Sequence, residues 1–362
     1  MEKNRVRSSN KLSRSSILIW RAVQYTVWLI GVYIIYNLIF NPTLGIHLFW
    51  NILIPIAPLL LVFLAGLWRN VCPMASMSLL FRHLGMSKRK KLTIKQSGKL
   101  NLIAIIALFI IVPMRHAIFD MNGPATAILL FSIAAIAIVV GFFYEWKSAW
   151  CSGLCPIHPV EKLYGQKSKL SLPNAHCNEC FKCVTPCPDS TPNINPLSTS
   201  KTIYHKLTGF LTIGAFPGFV WGWFQFPDFQ GIYSFGQLIM IYKQPMLGAI
   251  VTTLVYVILK RYITKNELIK LFAALAISCY YWFRIPALLG FGVFPGDGML
   301  IDLSSTIPEF FIYIIVSAII LFIYSWLIFS KKRKNSWTIR PIYAKSSNKL
   351  INEEKLLSTK NS

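Results

Sequence analysis

Apolar residues in this chain fall in long, nearly unbroken runs and not in the two-residue alternation of half-buried strands. Eight stretches stand out: 17–40, 47–67, 101–118, 125–145, 207–227, 245–260, 269–291 and 308–329. Most approach the twenty or so residues that carry an α-helix across about 30 Å of hydrocarbon, with 101–118 and 245–260 near the short limit. Pro55, Pro58, Pro113, Pro217 and Pro286 fall in or near these stretches, and in membrane helices neighbouring helices repair such kinks. The pattern predicts an all-α polytopic membrane protein with about eight transmembrane helices. A porin is excluded, because its segments are about ten residues long and alternate in polarity.

Composition agrees. Of 362 residues, 54% are apolar and 14% charged, and mean hydropathy is +0.52, whereas soluble domains carry about a quarter charged residues. The first apolar run is too long for a signal-peptide core and has no small-residue cleavage site after it, so it reads as a retained helix.

Charge gives the orientation. The chain holds 37 Lys and Arg against 13 Asp and Glu, a net +24, which in a soluble protein would suggest nucleic acid. With the N-terminus inside, 33 of the 37 basic residues fall in cytoplasmic segments, as the resistance of Lys and Arg to translocation demands. The expectation is a multi-pass protein of the inner (cytoplasmic) membrane with both termini cytoplasmic and no nucleic-acid partner. The chain divides into a membrane part at 1–145 built of two helical hairpins, a cytoplasmic segment at 146–206, a four-helix membrane part at 207–330 and a basic tail at 331–362.

Seven of the eight cysteines fall in the segments assigned to the cytoplasm, where a reducing environment disfavours disulfides. Cys177, Cys180, Cys183 and Cys187, followed by Pro188, form C-x2-C-x2-C-x3-C-P, the bacterial ferredoxin run. Closely spaced thiolates of this kind wrap one face of a cubane, with intervening amides directed at its sulfurs. Zinc sites use two pairs separated by a longer loop, so a [4Fe–4S] cluster is the expectation and zinc the competing one. In two-cluster ferredoxins the fourth cysteine of the run ligates the other cluster. Here Cys151 and Cys155-Pro156 lie just upstream. Cys155 would join Cys177, Cys180 and Cys183, and Cys187 would reach toward Cys151; one cluster on the run alone is the simpler arrangement. A degenerate repeat adds Cys72-Pro73 at the end of the second helix, aligned on Cys155-Pro156, each followed by a basic stretch. Cys72, Cys151 and Cys187 are thereby candidates for a second cluster, with His83 or His158 as a further ligand. Cys279, alone in the seventh span, reads as a packed structural thiol.

At these residues the chain resembles the polytopic iron–sulfur proteins of the nitrate- and nitrous-oxide-reductase accessory systems, and the membrane iron–sulfur protein of cytochrome oxidase assembly. The resemblance covers roughly residues 46–190. It departs in carrying one ferredoxin run where those relatives commonly carry two, and in reducing its first C-x3-C-P to Cys72-Pro73. The resemblance implies membrane electron transfer through [4Fe–4S] clusters, with quinol oxidation or metal reduction in some members. The expected partners are a cytosolic electron carrier or reductase subunit and quinone; a maturation or metal-reducing factor is the alternative, and a zinc-stabilised transporter or scaffold the second alternative.

The remaining polar residues give weaker signals. His47 and His116 are the one histidine pair at outer span ends, which falls short of the two pairs and the depth expected for haem b. Arg284 lies inside the seventh span, where a charge is costly and tends to be functional. It is a candidate quinone or anion contact, with snorkelling or a pair to Asp297 or Asp302 as the plainer reading. His158, His176 and His205 flank the cysteine segment, and His176 adjoins Cys177, placed to tune it. The Lys runs at 88–91 and 331–334 suit anionic lipid or an acidic redox partner. No G-x-G-x-x-G or P-loop is present, so no nucleotide site is expected.

Overall fold

The structure, a computed structural model, describes residues 13–90, 92–145, 147–165, 172–173, 175–176, 202–228, 234–330 and 338–339. The ferredoxin run from Cys177 to Cys187, and the C-terminal tail apart from Thr338–Ile339, lie outside the described residues. The described chain is mostly helical; extended pairing is confined to Leu172–Pro173 with Thr338–Ile339 and a single bridge between Lys90 and Tyr144, both parallel.

Seven helices among the described residues are long and apolar enough to cross a membrane. These are α1 (Arg14–Phe40), α2 (Pro42–Met77), α3 (Ile94–Phe119), α4 (Gly123–Phe143), α7 (Phe235–Leu259), α8 (Lys265–Leu288) and α9 (Glu309–Phe329). A short helix, α5 (Ile157–Tyr164), follows the upstream cysteines. The expected span at 207–227 is α6, helical over 203–223 but in three pieces and outside the seven. Its composition explains this: Gly, Thr, Pro and Trp interrupt the apolar residues, and Thr212 to Val220 is buried inside the bundle. A helix wrapped by protein meets little lipid and need not be as greasy as one at the perimeter.

Local chemistry sets the helix starts. Thr93 with Gln96, and Ser234 with Gln237, form capping boxes at α3 and α7, each satisfying two otherwise orphaned N–H groups. Asn122 caps α4 and Thr264 caps α8 through side-chain oxygens. Within lipid such accounting is obligatory, because no water takes up an unpaired amide.

Four stretches widen to π-helical turns: His47–Leu53 in α2, Arg115–Phe119 in α3, Lys147–Leu154 after α4, and Phe210–Ala215 in α6. Such bulges re-aim side chains and are frequent at functional sites. Three of them carry Asn51, Arg115 with His116, and Cys151.

One apolar core runs through both halves. Leu61 and Val62 of α2, Ile105 and Phe109 of α3, and Leu163 and Tyr164 of α5 pack with Phe216 and Phe219 of α6 and Phe272 of α8. A smaller cluster joins Ile34 and Leu38 of α1 to Trp50 and Ala127. α6 and α7 meet backbone to backbone at Gly218 and Gly248, where a Cβ on either would collide with the other's carbonyl. Gly218→Val is therefore expected to overpack this crossing and cost about 1–3 kcal/mol or more. Gly31→Ala, with open space around it, should change stability far less. Thermal unfolding in detergent compares the two.

Candidate metal centre and the polar cluster at the opposite end

The two Cys-Pro elements fold alike. Cys72 interrupts α2 with non-helical geometry at φ −59°, ψ 118°, and Pro73 opens its last short piece, Pro73–Met77. Proline suits that position, its missing N–H being one of the orphans anyway. Cys155 likewise precedes Pro156, the cap of α5. The carbonyl of each cysteine accepts the amide three residues on, Ala75 N–H in one case and His158 N–H in the other, both at 3.1 Å. The amides of Met74 and Ala75 also face the Cys72 sulfur, and those of Ile157 and His158 the Cys155 sulfur. The internal repeat in the sequence is thus a repeated corner that turns amides onto a thiol.

The corners are neighbours. Cys72 and Cys151 pack against the same buried Ala75 and Leu79. Burial, and then the adjacent Cys72, push the Cys155 thiol up to about 12. Without a metal these sulfurs are neutral, and loading one must release protons. Among the described residues no three His, Cys, Asp or Glu side chains meet as a finished metal site. The four cysteines of the ferredoxin run lie outside those residues.

Two buried ion pairs brace the corners. Arg69, three residues before Cys72, donates from Nε to Glu161 Oε1 at 2.5 Å and from Nη2 to Glu161 Oε2 at 3.1 Å. Its Nη2 also faces His158 Nδ1 at 3.2 Å. Arg82 donates to Glu145 at 2.9 Å, tying the loop after Cys72 to the chain before Cys151. All four charged side chains are at most 6% exposed. Burial opposes charge on Glu161, but Arg69 above all, with His158 and Lys162, brings its carboxyl down to about 2. Nδ1 of His158 lies 3.2 Å from Arg69 Nη2 and 3.8 Å from Glu161 Oε2, and its Nε2 is buried with no partner among the described residues. The carbonyl of Asn70, next in line after Arg69, accepts from Gln24 of α1 at 2.8 Å.

His176 and His205 are both buried. His205 pairs with Thr202 at 2.7 Å and leans on Gly98, where a Cβ would come within 2.8 Å of its ring. Cys279 packs among core side chains of α8.

At the other end of α2 lies a second buried polar cluster. Arg284 is 2% exposed, so it does not snorkel, and it pairs with neither Asp297 nor Asp302. Its Nη2 donates to Trp50 O at 3.0 Å and Asn51 Oδ1 at 2.5 Å. Asn51 lies in the π turn His47–Leu53. Arg115 shares Asn51 Oδ1 at 3.1 Å and pairs with Asp120 at 2.9 Å, its guanidinium over the rings of Trp50 and Trp223. Both nitrogens of His116 face oxygens, Asp228 Oδ1 at 2.5 Å and Trp223 O at 2.9 Å. His47 Nδ1 pairs instead with Asn51 Nδ2 at 2.8 Å. The two histidines are therefore separately engaged, His116 through both ring nitrogens and His47 through Nδ1.

No protein-family model, curated protein or solved structure matches this chain.

Sequence reasoning passed over Arg69, Glu161, Arg82, Glu145, Asn51, Asp120 and Asp228. The signal was present: with only 13 acidic residues in the chain, each Asp or Glu beside an apolar run is conspicuous, and four of these seven are acids.

The Glu161 carboxyl sits below its ordinary value of 4.5, so its stabilising contribution is complete above that value and fades as pH falls toward about 2. Thermal unfolding between pH 6 and 3 should show that loss. Glu161→Gln should flatten it, and strand Arg69 at a cost of about 3–5 kcal/mol near neutral pH.

Proposed function

We propose that the chain is a membrane electron-transfer protein holding one or two [4Fe–4S] clusters on the cytoplasmic side, between a cytosolic donor, a quinone and a partner reductase. The observation that carries this reading is the pair of matched Cys-Pro corners, Cys72 beside Cys155 and Cys151, next to the C-x2-C-x2-C-x3-C-P run in sequence. The residues present fit such a group: several thiols at one place, amides turned toward sulfur, and a buried His158 Nε2 with no partner among the described residues. Cys177, Cys180, Cys183 and Cys187 would hold it, with Cys155, Cys151 and Cys72 supplying the fourth ligand or a second site. A [4Fe–4S] cluster supplies one-electron storage, at a potential set by net charge, hydrogen bonds to sulfur and solvent exposure.

The chain's own residues account for the rest. Arg69–Glu161 and Arg82–Glu145 hold the two corners in register, so that the thiols need little rearrangement to ligate. Ala75 and Leu79 pack against Cys72 and Cys151 and give the sulfurs an apolar floor. His158 Nε2 is buried and unpartnered among the described residues, free to donate to a sulfur acceptor in the tautomer that protonates it. The distribution of Lys and Arg supports placing this end in the cytoplasm, and the Lys runs suit an acidic soluble redox partner.

Anaerobic purification followed by iron and acid-labile sulfide counts, with EPR before and after dithionite, tests the reading. About four irons per chain with a reduced cluster signal is the expectation for one cluster and about eight for two. In the two-cluster case Cys72→Ser should lose about half the iron while Cys279→Ser keeps all of it. Zinc without iron or sulfide, reproduced after anaerobic reconstitution, would replace this reading with a zinc-stabilised scaffold or transporter.

A further inference from the structure

The polar cluster at the end of α2 away from the cysteines encloses a cavity of 40 Å³ lined by Arg115, His116, Trp223, Asp228, Arg284 and Asp297. About 10–15 Å³ of such space holds one water, so the cavity suits a ligand of a few heavy atoms and no ring. It is not a redox neighbour of the thiols: the helical segment Ile54–Val71 alone separates the ends by about 27 Å, far beyond one tunnelling step.

The two guanidiniums of the cavity keep open donor positions, although the carboxylates of Asp228 and Asp297 line it and Asp120 lies alongside. Arg284 and Arg115 are 2% and 3% exposed, and both lean on the single amide oxygen of Asn51. Arg284 makes no ion pair among the described residues. The Nε atoms of both guanidiniums are buried without a partner. One acceptor, Asp120 Oδ1, is likewise unpartnered. His116 cannot help, since both its nitrogens are engaged. Buried donors left in this way cost about 1–3 kcal/mol each, more when charged. The walls are flat: Phe224 stacks on Phe283 at 5.1 Å and His116 on Trp223 at 4.6 Å. Gly298, at φ +62°, gives Arg284 its room, since a Cβ there would collide with Nη1.

We propose that this chamber binds a small planar carboxylate of one or two carbons, whose two oxygens take the acceptor places that Arg284 and Arg115 leave open. Guanidinium presents parallel donors that match a carboxylate in its own plane, and the aromatic walls admit a flat anion edge-on. The half-buried Asp297 lines the cavity; its Oδ2 accepts the Asp228 amide at 2.6 Å, and its charge opposes a bound anion. Specificity follows from size: the ligand must be small enough for the cavity and must offer two coplanar oxygens, which chloride lacks.

The test is calorimetric titration of the full-length chain in detergent with formate and acetate, at constant ionic strength, with chloride and benzoate as controls. Saturable binding of formate and acetate, with none of chloride or benzoate, is expected. Arg284→Lys should weaken binding by about tenfold or more, because a point charge loses the paired fork. Asp297→Asn keeps an acceptor for the Asp228 amide and removes the opposing charge, so it should tighten binding about fivefold; it decides the matter where the arginine variant does not fold. Absence of saturable formate binding in a normally melting chain, equal binding of chloride, or an unchanged affinity in Asp297→Asn overturns the proposal. None of these readouts depends on iron, so they stand apart from the fate of the electron-transfer reading.

Discussion

A buried arginine facing a buried glutamate, Arg69 to Glu161, is the contact on which the cysteine end of this protein depends. It joins the end of α2 to α5, residues 92 positions apart, and each carries one Cys-Pro corner. Removing either partner leaves an uncompensated charge inside protein, among the largest single penalties available to a point mutation. Arg82–Glu145 repeats the device on the other side. Such pairs add little net stability over a well-packed apolar contact, but they admit only one alignment. Aligning Cys72 with Cys151 and Cys155 is what the arrangement calls for.

α2 ties that end to the other. At one terminus it delivers Cys72; near the other its π turn delivers Trp50 and Asn51 to two buried arginines. The π turns at His47–Leu53, Arg115–Phe119 and Lys147–Leu154 all lie beside polar residues and not in the greasy middle of the spans. Widening a helix by one residue per turn rotates everything beyond it, which lets an apolar helix present a polar face locally. The apolar core between the two ends, from Leu61 to Phe272, keeps them apart and dry. Thiols and guanidiniums thus occupy opposite ends of one rigid scaffold.

The long apolar runs made seven of the helices legible in sequence, because nothing but a membrane span or a buried helix needs twenty such residues in a row. α6 was less so: its Gly, Thr and Trp composition answers to neighbouring helices, and hydropathy sees only lipid. The matched corners at Cys72 and Cys155 were readable as a repeat, since Cys-Pro after a helix is a rare local pattern. The ion pairs were not, because Arg69 and Arg82 looked like ordinary loop charges and their partners lie 92 and 63 residues away. Arg284 was conspicuous as an intramembrane charge, but its partners were misjudged: acids close in sequence were considered, and a distant backbone carbonyl and amide won. Single-sequence reading finds unusual residues well and their long-range partners poorly.

The central claim is that Arg69 and Glu161 align thiols that hold iron. The direct measurement is a double-mutant cycle on iron retained per chain after anaerobic purification, using Arg69→Met, Glu161→Leu and the pair together. The account predicts that each single variant loses most of its iron, while the double variant, with no charge stranded, regains a substantial share. Singles that keep full iron, or a wild-type chain that holds none, would contradict it.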